Sequence, residues 1–167
     1  MNDMTTQDIT NLRLPPQSLE AEQALLGAIL TNNRALEKVV EFLKPEHFAN
    51  PIHGKIYAAC QVLTERGRSA DPITLKDYFA SSGALEDVGG ADYLFQLAAS
   101  STTTINAGDY GNQIFDRYMR RQLIGLGTDI VNDAFDIKLD NSAIQQIEYA
   151  EKSLYELANE GELEGGP

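Results

Sequence analysis

The residues able to do chemistry are few, and their spacing limits what that chemistry can be. Asp129, Asp133 and Asp136 follow at intervals of four and three, which gathers three carboxylates on one side of a helix. Such a row would suit acid–base work or an oxygen-rich cation site, but a solvated helix face shows the same spacing and is the preferred reading. His47 and His53, with Glu46 beside the first, lie at a turn and a helix start. They are too sparse for a metal site or a catalytic triad, so both are expected to be capping or surface groups. Cys60 sits between Ala59 and Gln61 on an apolar stripe, where a lone thiol serves as a small buried hydrophobe.

Nucleotide chemistry leaves only fragments of its motifs. A phosphate loop needs backbone amides from a Gly-rich turn, a Lys for the outer phosphates and a hydroxyl for magnesium. Gly54-Lys55 is followed by Ile56 and preceded by Ala49 where the first Gly belongs. Gly125-Leu126-Gly127 begins like a dinucleotide fingerprint but has Ile130 in place of the third Gly, and no strand precedes it. Arg117, Arg120 and Arg121, grouped around Tyr118 and Met119, are the one dense set of bases and could touch nucleic acid. Pairing with acids of a neighbouring helix or subunit fits better, because 13 Lys and Arg against 25 Asp and Glu leave a net charge of −12. No enzyme site and no cofactor site emerge from these residues.

The elements carrying these side chains are helical throughout. The 167 residues suffice for a compact domain with an apolar core, and 43% hydrophobic with 23% charged residues is ordinary globular composition. One Cys permits no internal disulfide, and no apolar run is long enough to span a membrane. The opening MNDMTTQDITN is acidic where a secretory signal would be basic and then apolar, so a cytoplasmic location is expected.

The periodicity predicts an all-α fold: a compact bundle of about five short helices followed by a long antiparallel helical hairpin. Residues 1–17 are polar, end in Pro15-Pro16 and read as a disordered tail. Residues 18–104 form the globular part. Ser18 starts the first helix with Ala21, Leu25 and Ile29 inward; Leu36, Val39 and Leu43 repeat the pattern up to Pro45. Asn50-Pro51 and Asp71-Pro72 are N-cap and first-turn pairs, and Gly89-Gly90 precedes a shorter helix with Tyr93, Leu94 and Leu97. Residues 105–158 form the hairpin. Tyr110, Ile114, Tyr118, Leu123 and Ile130 return to one side of the first rod, about 45 Å long at ~1.5 Å per residue. Gly108, Gly111, Gly125 and Gly127 suggest fraying, a kink or close helix contact within it. Ser142 caps the second rod, whose Ala143, Ile147, Ala150, Leu154 and Leu157 alternate spacings of four and three as a packing seam does. Residues 159–167, rich in Glu and Gly, read as a linker. Such a hairpin carries more apolar surface than the small bundle can cover.

The stretch Leu14-Pro15-Pro16-Gln17-Ser18-Leu19-Glu20-Ala21-Glu22-Gln23-Ala24-Leu25-Leu26-Gly27 closely resembles the opening of the bacterial replicative DNA helicases, the DnaB family. The similarity continues through Asp71-Pro72-Ile73-Thr74-Leu75, Gly89-Gly90-Ala91-Asp92-Tyr93-Leu94, and from Tyr110 and Ile114 to Arg121, Leu123 and Ile124.

The resemblance implies the amino-terminal domain of that helicase, a collar on a hexameric ring. In such a collar the copies join through their hairpins, often as a trimer of dimers. It implies oligomerisation contacts at Tyr110, Ile114, Tyr118, Leu123, Ile147, Leu154 and Leu157, and a primase-responsive surface at Tyr93, Ile124 and Ile130. A helicase loader is a further implied partner. ATP and Mg, and contact with single-stranded DNA during 5′ to 3′ unwinding, are expected only of the RecA-like motor that follows in the family, so this stretch should hydrolyse nothing. The alternatives are an independent helical adaptor for another partner and a small acidic hydrolase built on the Asp129 to Asp136 row.

Overall fold

The structure, a computed structural model, describes residues 13–101, 106–137 and 140–164. Among these are seven α-helices and no strand: α1 (Leu19–Thr31), α2 (Arg34–Glu37), α3 (Pro51–Glu65), α4 (Pro72–Ser81), α5 (Gly90–Ala99), α6 (Ala107–Phe135) and α7 (Ala143–Glu164). Short 3-10 turns lie at Pro45–His47 and Glu86–Val88. The expected all-α architecture of small bundle and long hairpin is what the chain adopts. The expected tail at residues 1–17 lies outside the described residues as far as position 12.

Local chemistry starts the helices. Ser18 Oγ accepts from the Ala21 N–H at 3.3 Å, and Glu20 and Glu22 occupy the positive end of α1. Asn50 Oδ1 accepts from the Ile52 N–H at 2.9 Å ahead of Pro51, while Asp71 and Thr74 cap each other reciprocally at 2.9 Å. Ser142 and Gln145 do the same for α7, at 2.9 and 3.2 Å.

α1 is the centre of the head. Leu25, Leu26, Ala28 and Ile29 are fully buried, because α3, α5 and α6 pack on different sides of it. The second helix expected up to Leu43 is instead the short α2 followed by tight turns. Its apolar residues Leu36, Val39 and Leu43 remain in the core, and Lys38 and Val39 donate to carbonyls three residues back. Asn33 fixes this segment: its amide donates to the Ile29 and Ala70 carbonyls at 2.9 and 2.8 Å and accepts from the Ala70 N–H at 2.9 Å.

α6 runs unbroken from Ala107 to Phe135 despite its four glycines. Its first half belongs to the head: Ala107, Gly111, Ile114 and Phe115 are buried, and Tyr110, Tyr118 and Met119 pack partly against the same core. Ile114, expected on the hairpin seam, is therefore a core residue, while Tyr110 and Tyr118 are half-buried against the head. α6 packs here on α1 and on the Val39 to His47 segment, and the hairpin emerges only beyond that contact. Gly111 is the glycine that needs its missing side chain, since a Cβ there would stand 2.5 Å from Val39 Cγ1 and 3.1 Å from Phe42 Cζ.

The second rod packs antiparallel on the first. The Tyr118 hydroxyl donates to Glu160 Oε1 at 3.3 Å, and Gln146 Nε2 donates to the Asp133 carbonyl at 3.0 Å near the turn. Helix α7 extends to Glu164, past the boundary expected at 158, and Gly161 lies beside Met119. Residues 159–164 of the stretch whose composition suggests a linker are thus helical and touch α6, and the rest of it lies outside the described residues.

Gly111→Ala should destabilise the chain by about 1–3 kcal/mol through overpacking, lowering the melting midpoint by roughly 3–10 °C. Gly108→Ala, with nothing within 4 Å of its new methyl, should leave the midpoint unchanged or raise it. Thermal melts followed by circular dichroism compare the two directly.

Candidate partner-binding surfaces

Three arrangements carry the polar and exposed groups from which a partner surface can be built. The first is a buried polar chain. Glu22 points inward from α1 at 1% exposure. Its Oε2 accepts from the Ala49 N–H at 2.7 Å, and its Oε1 lies 3.3 Å from the Asn50 nitrogen and 2.7 Å from His53 Nδ1. His53 Nε2 lies 2.6 Å from the Tyr93 hydroxyl, which also accepts from Gln23 Nε2 at 3.3 Å. The chain thus begins in the core and ends at half-buried Tyr93, beside a recess lined by Asn50, Ile52, Gly89, Asp92 and Gln96.

The second is the junction of head and hairpin. The Arg121 guanidinium donates to the Pro16 carbonyl at 2.8 Å and the His47 carbonyl at 2.9 Å, with its carbon 6.0 Å from the Tyr118 ring centroid. Burial pulls Arg121 below its ordinary pKa while the charges of Glu22 and Tyr118 oppose that shift. His47 is packed between Phe115 and Tyr118, and its Nδ1 accepts from the Lys44 N–H at 2.9 Å.

Both histidines are therefore buried, at 1% exposure, and not surface groups as expected. His47 does cap a turn, but from inside the core. The arginine group also differs from expectation: Arg117 and Arg120 bind Asp116 of their own helix at 2.9 and 2.8 Å, and Arg121 holds backbone carbonyls. The hydrogen bond from Arg120 is the main reason that Asp116 is held below the usual carboxylate range.

The third arrangement is the outer hairpin. Leu123, Ile124, Ile130, Val131, Ile144, Ile147, Tyr149 and Leu154 are all exposed, Ile124 at 53% and Ile147 at 55%. Leu157 is half-buried where it borders a groove with Gly125, Leu126 and Ser153. Ile130 lines a second recess with Leu126 and Tyr149. Of the residues singled out in the sequence, Tyr93 stands in the head; Leu123, Ile124, Ile130, Ile147, Leu154 and Leu157 stand on the hairpin.

Asp129, Asp133 and Asp136 are exposed, and among the described residues no group of three or more His, Cys, Asp or Glu side chains could hold a metal ion. Nor, among the described residues, is any helix long and apolar enough to cross a membrane.

The family description "DnaB-like helicase N terminal domain" matches residues 14–116. The chain belongs to that family. It is 47% identical over 154 residues to "Replicative DNA helicase DnaB" of Rickettsia conorii, covering 90% of this chain and 31% of the relative. It is 38% identical over 151 residues to "Replicative DNA helicase DnaC" of Bacillus subtilis, covering 90% and 33%. The chain thus spans about a third of the length of these curated relatives. Its fold matches the crystal structure of the N-terminal domain of DnaB helicase from Mycobacterium tuberculosis, with TM-score 0.77, 32% identity, and coverage of 86% of this chain and 99% of that one. A structure described as a DnaB-like replicative helicase and its interactions with primase matches at TM-score 0.66 and 29% identity, covering 84% of this chain and 31% of that one.

Sequence reasoning missed Glu22 and the backbone role of Arg121. The signal for Glu22 was present: Glu22 lies three and four residues before Leu25 and Leu26, so it shares their side of the helix and turns inward with them. Nothing local marks Arg121, whose acceptors are 105 and 74 residues away.

Cys60 is fully buried on α3, and burial pushes its thiol from 9.0 up to about 12. Tyr57, hydrogen-bonded to the Leu43 carbonyl at 2.9 Å, is pushed up by the same burial. Groups whose folded pKa is raised stabilise below the unfolded value and lose that contribution as pH climbs through the folded one. The melting temperature of this DnaB-family domain should therefore fall steadily above about pH 9, and Cys60 should resist thiol reagents at pH 8 until denaturant is added. Rapid labelling of the folded chain would contradict the burial.

Proposed function

We propose that this chain is the collar domain of a hexameric replicative DNA helicase, joining copies of itself through its hairpins and offering a docking surface to primase. The observation that carries this reading is the outer hairpin, where two consecutive helices pack on each other yet leave Leu123, Ile147 and Leu154 half or nearly half exposed. Apolar rods of this kind find cover in a second copy, and a two-fold pairing repeated three times around a ring gives a trimer of dimers. Tyr93, Ile124 and Ile130 form the primase-responsive set in this reading; the relative whose description includes interactions with primase supports that choice of partner.

Unwinding 5′ to 3′ on single-stranded DNA, with ATP and Mg, belongs in this proposal to the motor of the whole protein. A loader protein then acts on the assembled ring, in the cytoplasm.

Light scattering at high micromolar concentration should report a dimer or larger species. Ile147→Asp combined with Leu154→Asp should reduce it to the mass of one chain without loss of helicity, because both side chains face solvent in the single subunit. A wild-type chain that is strictly monomeric at that concentration would sink the self-pairing.

Ile124→Asp and Ile130→Asp should each weaken primase binding by about tenfold or more, in keeping with a charge placed in an apolar contact. Isothermal titration with the helical circular dichroism signal as control reads the effect. Unaltered affinity in both variants would remove these residues from the docking surface.

A further inference from the structure

We propose that Glu22 and His53 are positioning residues for Tyr93, fixing its hydroxyl as a hydrogen-bond acceptor toward the partner that docks there. This rests on the reading that Tyr93 lies on the primase surface. The inference begins with the proton inventory of the buried chain. Glu22 takes the Ala49 and Asn50 N–H groups on its two oxygens, so its carboxylate acts there only as acceptor. His53 Nδ1, 2.7 Å from the same carboxylate, then carries a proton toward it, and the tautomer that the proposal assigns keeps a lone pair on Nε2. The Tyr93 hydroxyl lies 2.6 Å from that nitrogen, and in the assigned tautomer it donates its single proton there. Gln23 occupies part of the hydroxyl's acceptor capacity at 3.3 Å. Tyr93 therefore turns its proton inward and has only oxygen lone pairs left for a partner.

The ring is held as firmly as the hydroxyl. It lies nearly parallel to the His53 imidazole, at 11° with centroids 6.0 Å apart. At its base, Gly89 adopts φ +96°, and a Cβ there would stand 2.9 Å from Tyr93 Cβ. The recess beside the ring carries the Asp92 carboxylate and the side chains of Asn50 and Gln96. An acceptor hydroxyl next to a carboxylate suits an N–H donor from the partner, and a cationic one, a lysine or arginine side chain, best of all.

Glu22→Gln tests the tautomer without removing any ring. If the new amide keeps its oxygen on the Ala49 N–H and donates to His53 Nδ1, the imidazole proton moves to Nε2 and Tyr93 becomes a donor. Primase affinity of this chain should fall about tenfold, the value of one interface hydrogen bond with its sign reversed. In a Tyr93→Phe background, Glu22→Gln should change nothing further, because no hydroxyl remains to be oriented.

An equal loss in both backgrounds would mark Glu22 as merely structural and overturn the proposal. So would unchanged affinity of Glu22→Gln while Tyr93→Ala weakens binding. Unchanged affinity of Tyr93→Ala would instead remove Tyr93 from the primase surface, and the proposal with it. Should Glu22→Gln fail to fold, nitrogen-15 shifts of His53 in the wild-type chain decide: protonated Nδ1 with bare Nε2 upholds the assignment, and a proton on Nε2, in either the other tautomer or the imidazolium, overturns it.

Discussion

Because α6 gives Ala107, Gly111, Ile114 and Phe115 to the head's core and then continues without a break to Phe135, packing inside the head sets the direction in which the hairpin leaves it. A helix of 29 residues is stiff on this scale, so a small rotation at Gly111 becomes a large displacement at the far turn. That makes the contact of Gly111 with Val39 and Phe42 a geometric constraint on any assembly built from the hairpin tips. Arg121 reinforces the same joint at the point where burial ends, by holding the Pro16 and His47 carbonyls from the middle of α6.

The joint and the buried polar chain are parts of one electrostatic arrangement. A carboxylate at 1% exposure is expensive unless its charge is hydrogen-bonded and balanced. Glu22 receives two backbone N–H groups and an imidazole N–H, and it is close enough to Arg121 to affect that guanidinium's proton affinity. The start of α3, the exit of α6 and the first turn of α1 are thus tied together through one acid. Tyr93 stands at the outer end of that set of contacts, so His53 links a half-buried residue on α5 to an acid on α1.

Helix starts were legible in the sequence because they are local chemistry: Ser18, Asn50-Pro51, Asp71-Pro72 and Ser142 each cap the helix they were expected to open. Helix faces were legible where periodicity and burial coincide, as along α1 and α3. The shortening of α2 was not, and the contact that anchors its start, Asn33 to Ala70, reaches across 37 residues of chain. Nor was the fate of α6, where a single apolar stripe serves the head in its first half and lies open in its second. Periodicity reports that a face is apolar and is silent about what covers it. The two histidines were misread for the related reason that spacing between them was weighed, when their partners lay on other elements: Glu22 and Tyr93 for one, Phe115 and Tyr118 for the other.

The division of α6 also explains how one acidic chain supports two kinds of contact. In the head most large apolar side chains are spent on each other, although Ile73 and Phe95 stay exposed, and Tyr93 and Asp92 offer polar groups at the surface recess. On the hairpin the order is reversed: Leu123, Ile124, Ile130 and Val131 stay exposed, while acids such as Asp129 and Asp133 lie between them in solvent. Apolar area supplies association energy with little directional preference, whereas buried hydrogen-bond networks supply orientation and little net energy. In the proposed reading a rod that gathers copies and a head that recognises a specific donor call for opposite surfaces, and the continuous helix α6, packed at Gly111 and held by Arg121, carries both in one chain.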